Sequence, residues 1–95
     1  MNQPIVVRRL NWDPWNEEHI ARHEATTEEV WEVSQSKFIV RDTYQGRLML
    51  IGPTKSGRVL VVILDPLGDD VYYPITAYAA SRKLRRLYSE ETEGR

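Results

Sequence analysis

The sequence contains no cysteine, which excludes both a disulfide framework and a thiolate metal site. No apolar run reaches the roughly eighteen residues of a membrane span, and residues 1–10 lack the apolar stretch of a secretory signal, so a cytoplasmic location is expected. Its five glycines form no phosphate loop, and no serine lies in a nucleophile motif. Carboxylates occur only as generic helix acids, with no paired signature. Classical hydrolase chemistry is therefore not expected. Internal repeats, low-complexity tracts and linkers are also missing.

What is present points to one folded domain spanning 1–95, with residues 90–95 as a flexible tail. The apolar fraction of 41%, with three Trp and five Tyr, argues against disorder. A net charge of −1 hides a division along the chain. Residues 1–36 hold three basic and seven acidic groups, whereas residues 37–88 hold nine basic and four acidic ones. The pI near 6.1 argues against sequence-blind nucleic-acid binding but leaves room for a local basic surface.

Ile5 to Leu10 reads as an opening strand. Asp13 is a good N-cap and Pro14 suits the first helical position, so a helix runs from there to about His23, with Glu17 and Glu18 complementing its dipole. Glu24 and Ala25 break it. Thr26 with Glu29 forms a capping box for a second helix whose apolar side is supplied by Val30, Trp31 and Val33. Four strands follow, at Lys37–Asp42, Arg47–Ile51, Arg58–Leu64 and Val71–Ala77. The loops between them, Gln45-Gly46, Lys55–Gly57 and Asp65–Asp69, are short enough for antiparallel hairpins. Val59–Leu64, VLVVIL, is apolar without interruption and marks the sheet's centre. Pro74 cannot donate to a ladder, so its strand is an edge or is bulged there. The fold class is α+β: a strand, two helices, a four-stranded antiparallel meander and a C-terminal helix.

That last helix begins after Ser81. Stepping 100° per residue puts Leu84, Leu87 and Tyr88 on one side and Arg82, Arg85, Arg86 and Lys83 on the other. The cationic side suits phosphate, carboxylate or an acidic partner, or is simply a solvated face. His19 and His23 share a helix face at the spacing of a two-histidine metal site. The position after His19 is Ile20 instead of a general-base Glu, so core-edge histidines are the simpler reading and no metal site is expected. Trp12, Trp15 and Trp31 read as packing residues more readily than as a base-stacking platform.

Arg, Lys and Tyr side chains remain, and these suffice for metal-independent RNA cleavage without a cofactor. There a 2′-hydroxyl attacks the adjacent phosphate while cations offset the growing charge and a Tyr, Lys or His moves a proton. Catalytic candidates are Arg58, Tyr78, Arg82, Arg85 and Arg86, and RNA-binding candidates are Arg47, Lys83, Arg85 and Arg86. Tyr88 reads as a core aromatic because it falls beside Leu84 and Leu87.

Two motifs resemble the BrnT-type toxins of bacterial type II toxin–antitoxin pairs. One is Trp12-Asp13-Pro14, followed by His23 and Thr27-Glu28-Glu29. The other is Ile75 to Tyr88, ITAYAASRKLRRLY. Gly57-Arg58 leading into VLVVIL resembles that family's central strand. The resemblance implies a RelE-like fold, ribonuclease activity and inhibition by an antitoxin protein. Three positions depart from the family pattern: Tyr78 stands where it usually has Arg, Leu84 where it has Glu, and Glu24 where it has Gly. A catalytically weak member acting as a protein- or RNA-binding module is the second reading. Glu24 also occupies a tight joint where a φ above zero is expected.

Overall fold

Asp13 and Pro14 start the first helix as their chemistry predicts. The computed structural model describes residues 5–93 and places α1 at Pro14–Arg22. The Asp13 carboxylate accepts the Asn16 backbone N–H at 2.9 Å, and the Asn16 side-chain oxygen accepts the Asp13 N–H at 2.8 Å. The second helix, α2, covers Thr27–Ser34. Its capping box is the expected one: the Thr26 hydroxyl accepts the Glu29 N–H and the Glu29 carboxylate accepts the Thr26 N–H, both at 3.1 Å. Between the helices Glu24 adopts φ +61°, the left-handed conformation that costs a non-glycine residue about 1 kcal/mol.

Five strands form one mixed sheet in the order β1-β5-β4-β3-β2. They are β1 (Arg9–Leu10), β2 (Ile39–Asp42), β3 (Leu48–Pro53), β4 (Val59–Gly68) and β5 (Val71–Ala79), and α3 (Arg82–Glu93) follows. The meander from β2 to β5 is antiparallel, while β1 pairs parallel to β5. VLVVIL lies between two strands as expected. Pro74 sits at a register shift opposite Ile63 and Leu64, on the side of β5 that β1 leaves uncovered after Tyr72. An edge and a bulge both accommodate its missing N–H.

Four local expectations give way. The opening strand shrinks to Arg9–Leu10, because only those two residues find a ladder partner on β5. Asp65–Gly68 are strand rather than loop, and the turn is Asp69-Asp70, with φ +57° and +62°. Two left-handed central residues match a tight hairpin turn, and Asp tolerates that region. β4 outlasts β3 beyond Leu64, so Pro66 has a strand on one side only. Trp31 is 41% exposed, since Val30, Val33 and Ser34 take the inward side of α2. Finally, α3 continues past Tyr88 to Glu93, so residues 90–93 of the tail are helical and residues 94–95 lie outside the described residues.

The sheet's two faces differ. Under α1 and α2, Ile20, Val30 and Val33 close over Leu50, Leu60, Val62 and Leu64. Asn16 is fully buried there, and its amide donates to the Asn11 and Pro74 carbonyls at 3.0 and 3.1 Å. On the other face, cross-strand register aligns Ile39, Ile51, Val61 and Tyr78 in one row and Arg41, Met49, Ile63 and Thr76 in the next. Leu84, Leu87 and Tyr88 of α3 pack onto that face.

Candidate functional site

The candidate residues converge where β5 runs into α3. There the Ala80 N–H donates to the Val59 carbonyl at 3.0 Å, clamping the end of β5 to the start of β4. The Ser81 hydroxyl accepts the Leu84 N–H at 3.2 Å and so starts α3. Further along α3, the Tyr88 hydroxyl donates to the Lys37 carbonyl at 2.8 Å and Glu91 pairs with Arg41. These ties fix the helix's rotation, leaving Arg82, Lys83 and Arg86 exposed. Their side chains make no ion pair or hydrogen bond among the described residues. Arg85 is exposed as well, but its Nη1 donates to the Ala80 carbonyl at 2.8 Å and braces the same junction.

Arg58, at the start of β4, reaches the α1–α2 joint. Its Nη1 donates to the Glu24 carbonyl at 2.8 Å and lies 3.4 Å from both Glu29 carboxylate oxygens. One guanidinium nitrogen therefore holds the strained joint, while Nε and Nη2 have no partner among the described residues. Arg47 lies elsewhere. It precedes Leu48, which pairs with Leu64, whereas Arg58 pairs with Thr54, beyond the other end of β3. At about 3.3 Å per residue along that strand, the two arginines stand roughly 23 Å apart. Arg58, Tyr78, Arg82, Lys83, Arg85 and Arg86 thus share one corner, and Arg47 is at the opposite end of the sheet.

Tyr78 lies on the uncovered edge of β5 and meets a row of rings on α1. Trp15 stacks on His19 with centroids 5.0 Å apart, His19 meets His23 edge-on at 5.5 Å, and His23 meets Tyr78 edge-on at 6.1 Å. The buried stripe of α1 is Asn16 and Ile20, so Trp15, His19 and His23 occupy a separate, outward strip. Sequence reasoning named Tyr78 but left His23 as a core-edge residue. The usable signal was the four-residue spacing of Trp15, His19 and His23, which puts all three on one face away from Ile20.

Burial, with the Asp70 carboxylate beside it, raises the Tyr72 phenol above its ordinary value. The other two resolved acid–base perturbations lie at α1's other end. The Asn16 backbone N–H holds the Asp13 carboxyl below its ordinary value, aided by the Tyr73 hydroxyl, which donates to it at 2.9 Å. Loss of solvent raises the Tyr73 phenol above its ordinary value, and its bond to Asp13 adds to this. Both are features of the helix cap. Among the described residues no group of three or more His, Asp or Glu is placed to hold a metal ion. No described helix is long and apolar enough to cross a membrane. A cleft of about 420 Å³ beside Trp31 carries only Glu28, Glu32 and Lys55 as charged lining.

No family model matches the chain, and no curated protein matches it. The crystal structure of the Brucella abortus ribonuclease toxin BrnT is similar, with a TM-score of 0.65 and 29% sequence identity over 78% of this chain and 97% of that one. Shared fold, shared sequence and coverage of most of both chains bear out the resemblance to the BrnT-type toxin family.

Proposed function

We propose that this chain is a toxin of a type II toxin–antitoxin pair, a metal-independent ribonuclease held in check by a partner antitoxin protein. The observation that carries this reading is the likeness to a ribonuclease toxin, joined to three unpaired cations at a junction that also presents Tyr78. Arg82, Lys83 and Arg86 supply positive charge where a phosphate would lie, and Arg58 offers two free guanidinium nitrogens nearby. Fixed cations of this kind stabilise charge growing on phosphoryl oxygens without a metal ion. The test is cleavage of a single-stranded RNA by the purified chain in excess EDTA. Activity that survives chelation, and that falls on addition of the protein encoded by the adjacent reading frame, supports the reading. Activity that requires a divalent cation sinks the metal-independent part.

The second reading, a binding module without catalysis, is favoured by one specific observation. Arg58 and Arg85, two of the five catalytic candidates, are bonded to the fold's own carbonyls, and Tyr78 replaces the arginine usual in the family. Under this reading the chain binds RNA without cutting it. Arg86→Ala separates binding from stability: it should leave unfolding within about 0.5 kcal/mol of the parent and weaken RNA binding in a salt-dependent way.

A further inference from the structure

We propose that His23 is the proton-moving residue of RNA cleavage, with Tyr78 beside it, an assignment that rests on the ribonuclease reading above. Four observations converge on it. First, His23 is the exposed C-cap of α1 and its ring nitrogens have no hydrogen-bond partner among the described residues, so both face solvent or substrate. Second, its ring is set edge-on to Tyr78 at 6.1 Å, and the Tyr78 hydroxyl is likewise without a partner. Third, the next residue's carbonyl holds Nη1 of Arg58, which also meets the Glu29 carboxylate at 3.4 Å, so a guanidinium whose Nε and Nη2 have no partner among the described residues is anchored one residue from His23. Fourth, no strand pairs with β5 on that side beyond Tyr72, and past the Pro74 carbonyl that Asn16 holds, the edge is left for an extended RNA strand to follow. Imidazole, phenol and guanidinium thus come from three elements to one exposed edge.

The chemistry balances with these groups alone. His23 takes the proton from the ribose 2′-hydroxyl as that oxygen forms a bond to the adjacent phosphorus. The bond from phosphorus to the 5′-oxygen breaks, and the departing oxygen takes a proton from Tyr78 or from the imidazolium. The products are a 2′,3′-cyclic phosphate and a 5′-hydroxyl, and Arg58 faces the charge that builds on the phosphoryl oxygens. His19 lies next in the ring row, stacked on Trp15, and its role is to hold the His23 ring. Histidine suits the task because an imidazole can accept a proton at one ring nitrogen and return it from the same ring.

The experiment uses the full chain with a single-stranded RNA oligonucleotide, analysing the ends of the products. His23→Ala is expected to lower cleavage about a hundredfold or more while RNA affinity and the unfolding midpoint stay at parent values. Added imidazole should restore part of that loss in His23→Ala but not accelerate the parent or Tyr78→Phe. His23→Gln, which keeps a polar side chain of similar reach, should be as slow as His23→Ala. Cyclic phosphate ends from the parent complete the expected result. A parent that cuts RNA while His23→Ala cuts equally well overturns the assignment and leaves the ribonuclease reading intact. A folded, RNA-binding His23→Ala that is slow yet deaf to imidazole also overturns it, since the side chain then only positions something else. A parent that binds RNA and never cleaves it removes the ribonuclease reading itself, and this assignment with it.

Discussion

Ile20, Val30 and Val33 close the α1–α2 face of the sheet with at most 1% of their surface exposed, whereas α3 contributes no buried residue to the opposite face. Both capping boxes belong to the closed face, and α1 is tied to the sheet through Asn16, fully buried and satisfied at both amide atoms. The α3 face relies on half-buried Leu84, Leu87 and Tyr88, one hydrogen bond to Lys37 and one ion pair. Stability is therefore concentrated on one side of the sheet, and the unpaired cations of α3, Arg82, Lys83 and Arg86, stand on the other. A helix held by few apolar contacts opens at lower free energy than the core beneath it. The ring row of α1 reaches around the open edge of β5 and joins the two regimes.

The contrast breaks if mutations on the two sides cost the same. Leu60→Ala, on the closed face, should lower unfolding free energy by about 3 kcal/mol in chemical denaturation, because it leaves a cavity among fully buried neighbours. Asn16→Ala should cost about 2 kcal/mol, since it strands the buried Pro74 carbonyl and removes half of the α1 cap. Leu84→Ala should cost only about 1 to 2 kcal/mol, in proportion to its half-burial, with the sheet's near-ultraviolet signature retained. Glu24→Gly sharpens the comparison by moving the other way. It should raise stability by about 1 kcal/mol, because it relieves the left-handed backbone while keeping the carbonyl that Arg58 holds. Should Leu84→Ala cost as much as Leu60→Ala, α3 belongs to the core and the asymmetry is wrong.

Much of this fold is legible in the sequence wherever a local rule suffices. Asp13-Pro14, Thr26 with Glu29, the apolar run of β4, the proline of β5 and the opposed faces of α3 each declare themselves through neighbours within a few residues. The positive φ at Glu24 follows from the tightness of its joint. The misreadings have a different origin. Asp65–Gly68 carry turn-forming residues, yet pairing with β5 makes them strand, a tertiary effect that composition does not reveal. Trp31 looked like core because a large aromatic usually is, but Val30, Val33 and Ser34 fill the inward side. Arg47 and Arg58 both precede strands, and only the register shows that they lie at opposite ends of the sheet. From the sequence His23 reads only as a metal ligand or a core-edge residue, because its partner, Tyr78, comes from a strand far along the chain. Sites assembled across elements are the least visible to periodicity.

The parallel pairing of β1 with β5 has a consequence for how the chain reaches this structure. β1 leaves the ribosome first, yet its partner is the last strand to be made, and almost the whole of the rest of the fold lies between them. Only two register pairs, flanked by the Arg8 and Asn11 amides on Asp70 and Tyr72, close that long circuit. The hairpins of the meander, joined by short turns, form without waiting for the N-terminus. The low sequence separation of the meander's contacts therefore favours β1 docking late, onto a sheet already assembled.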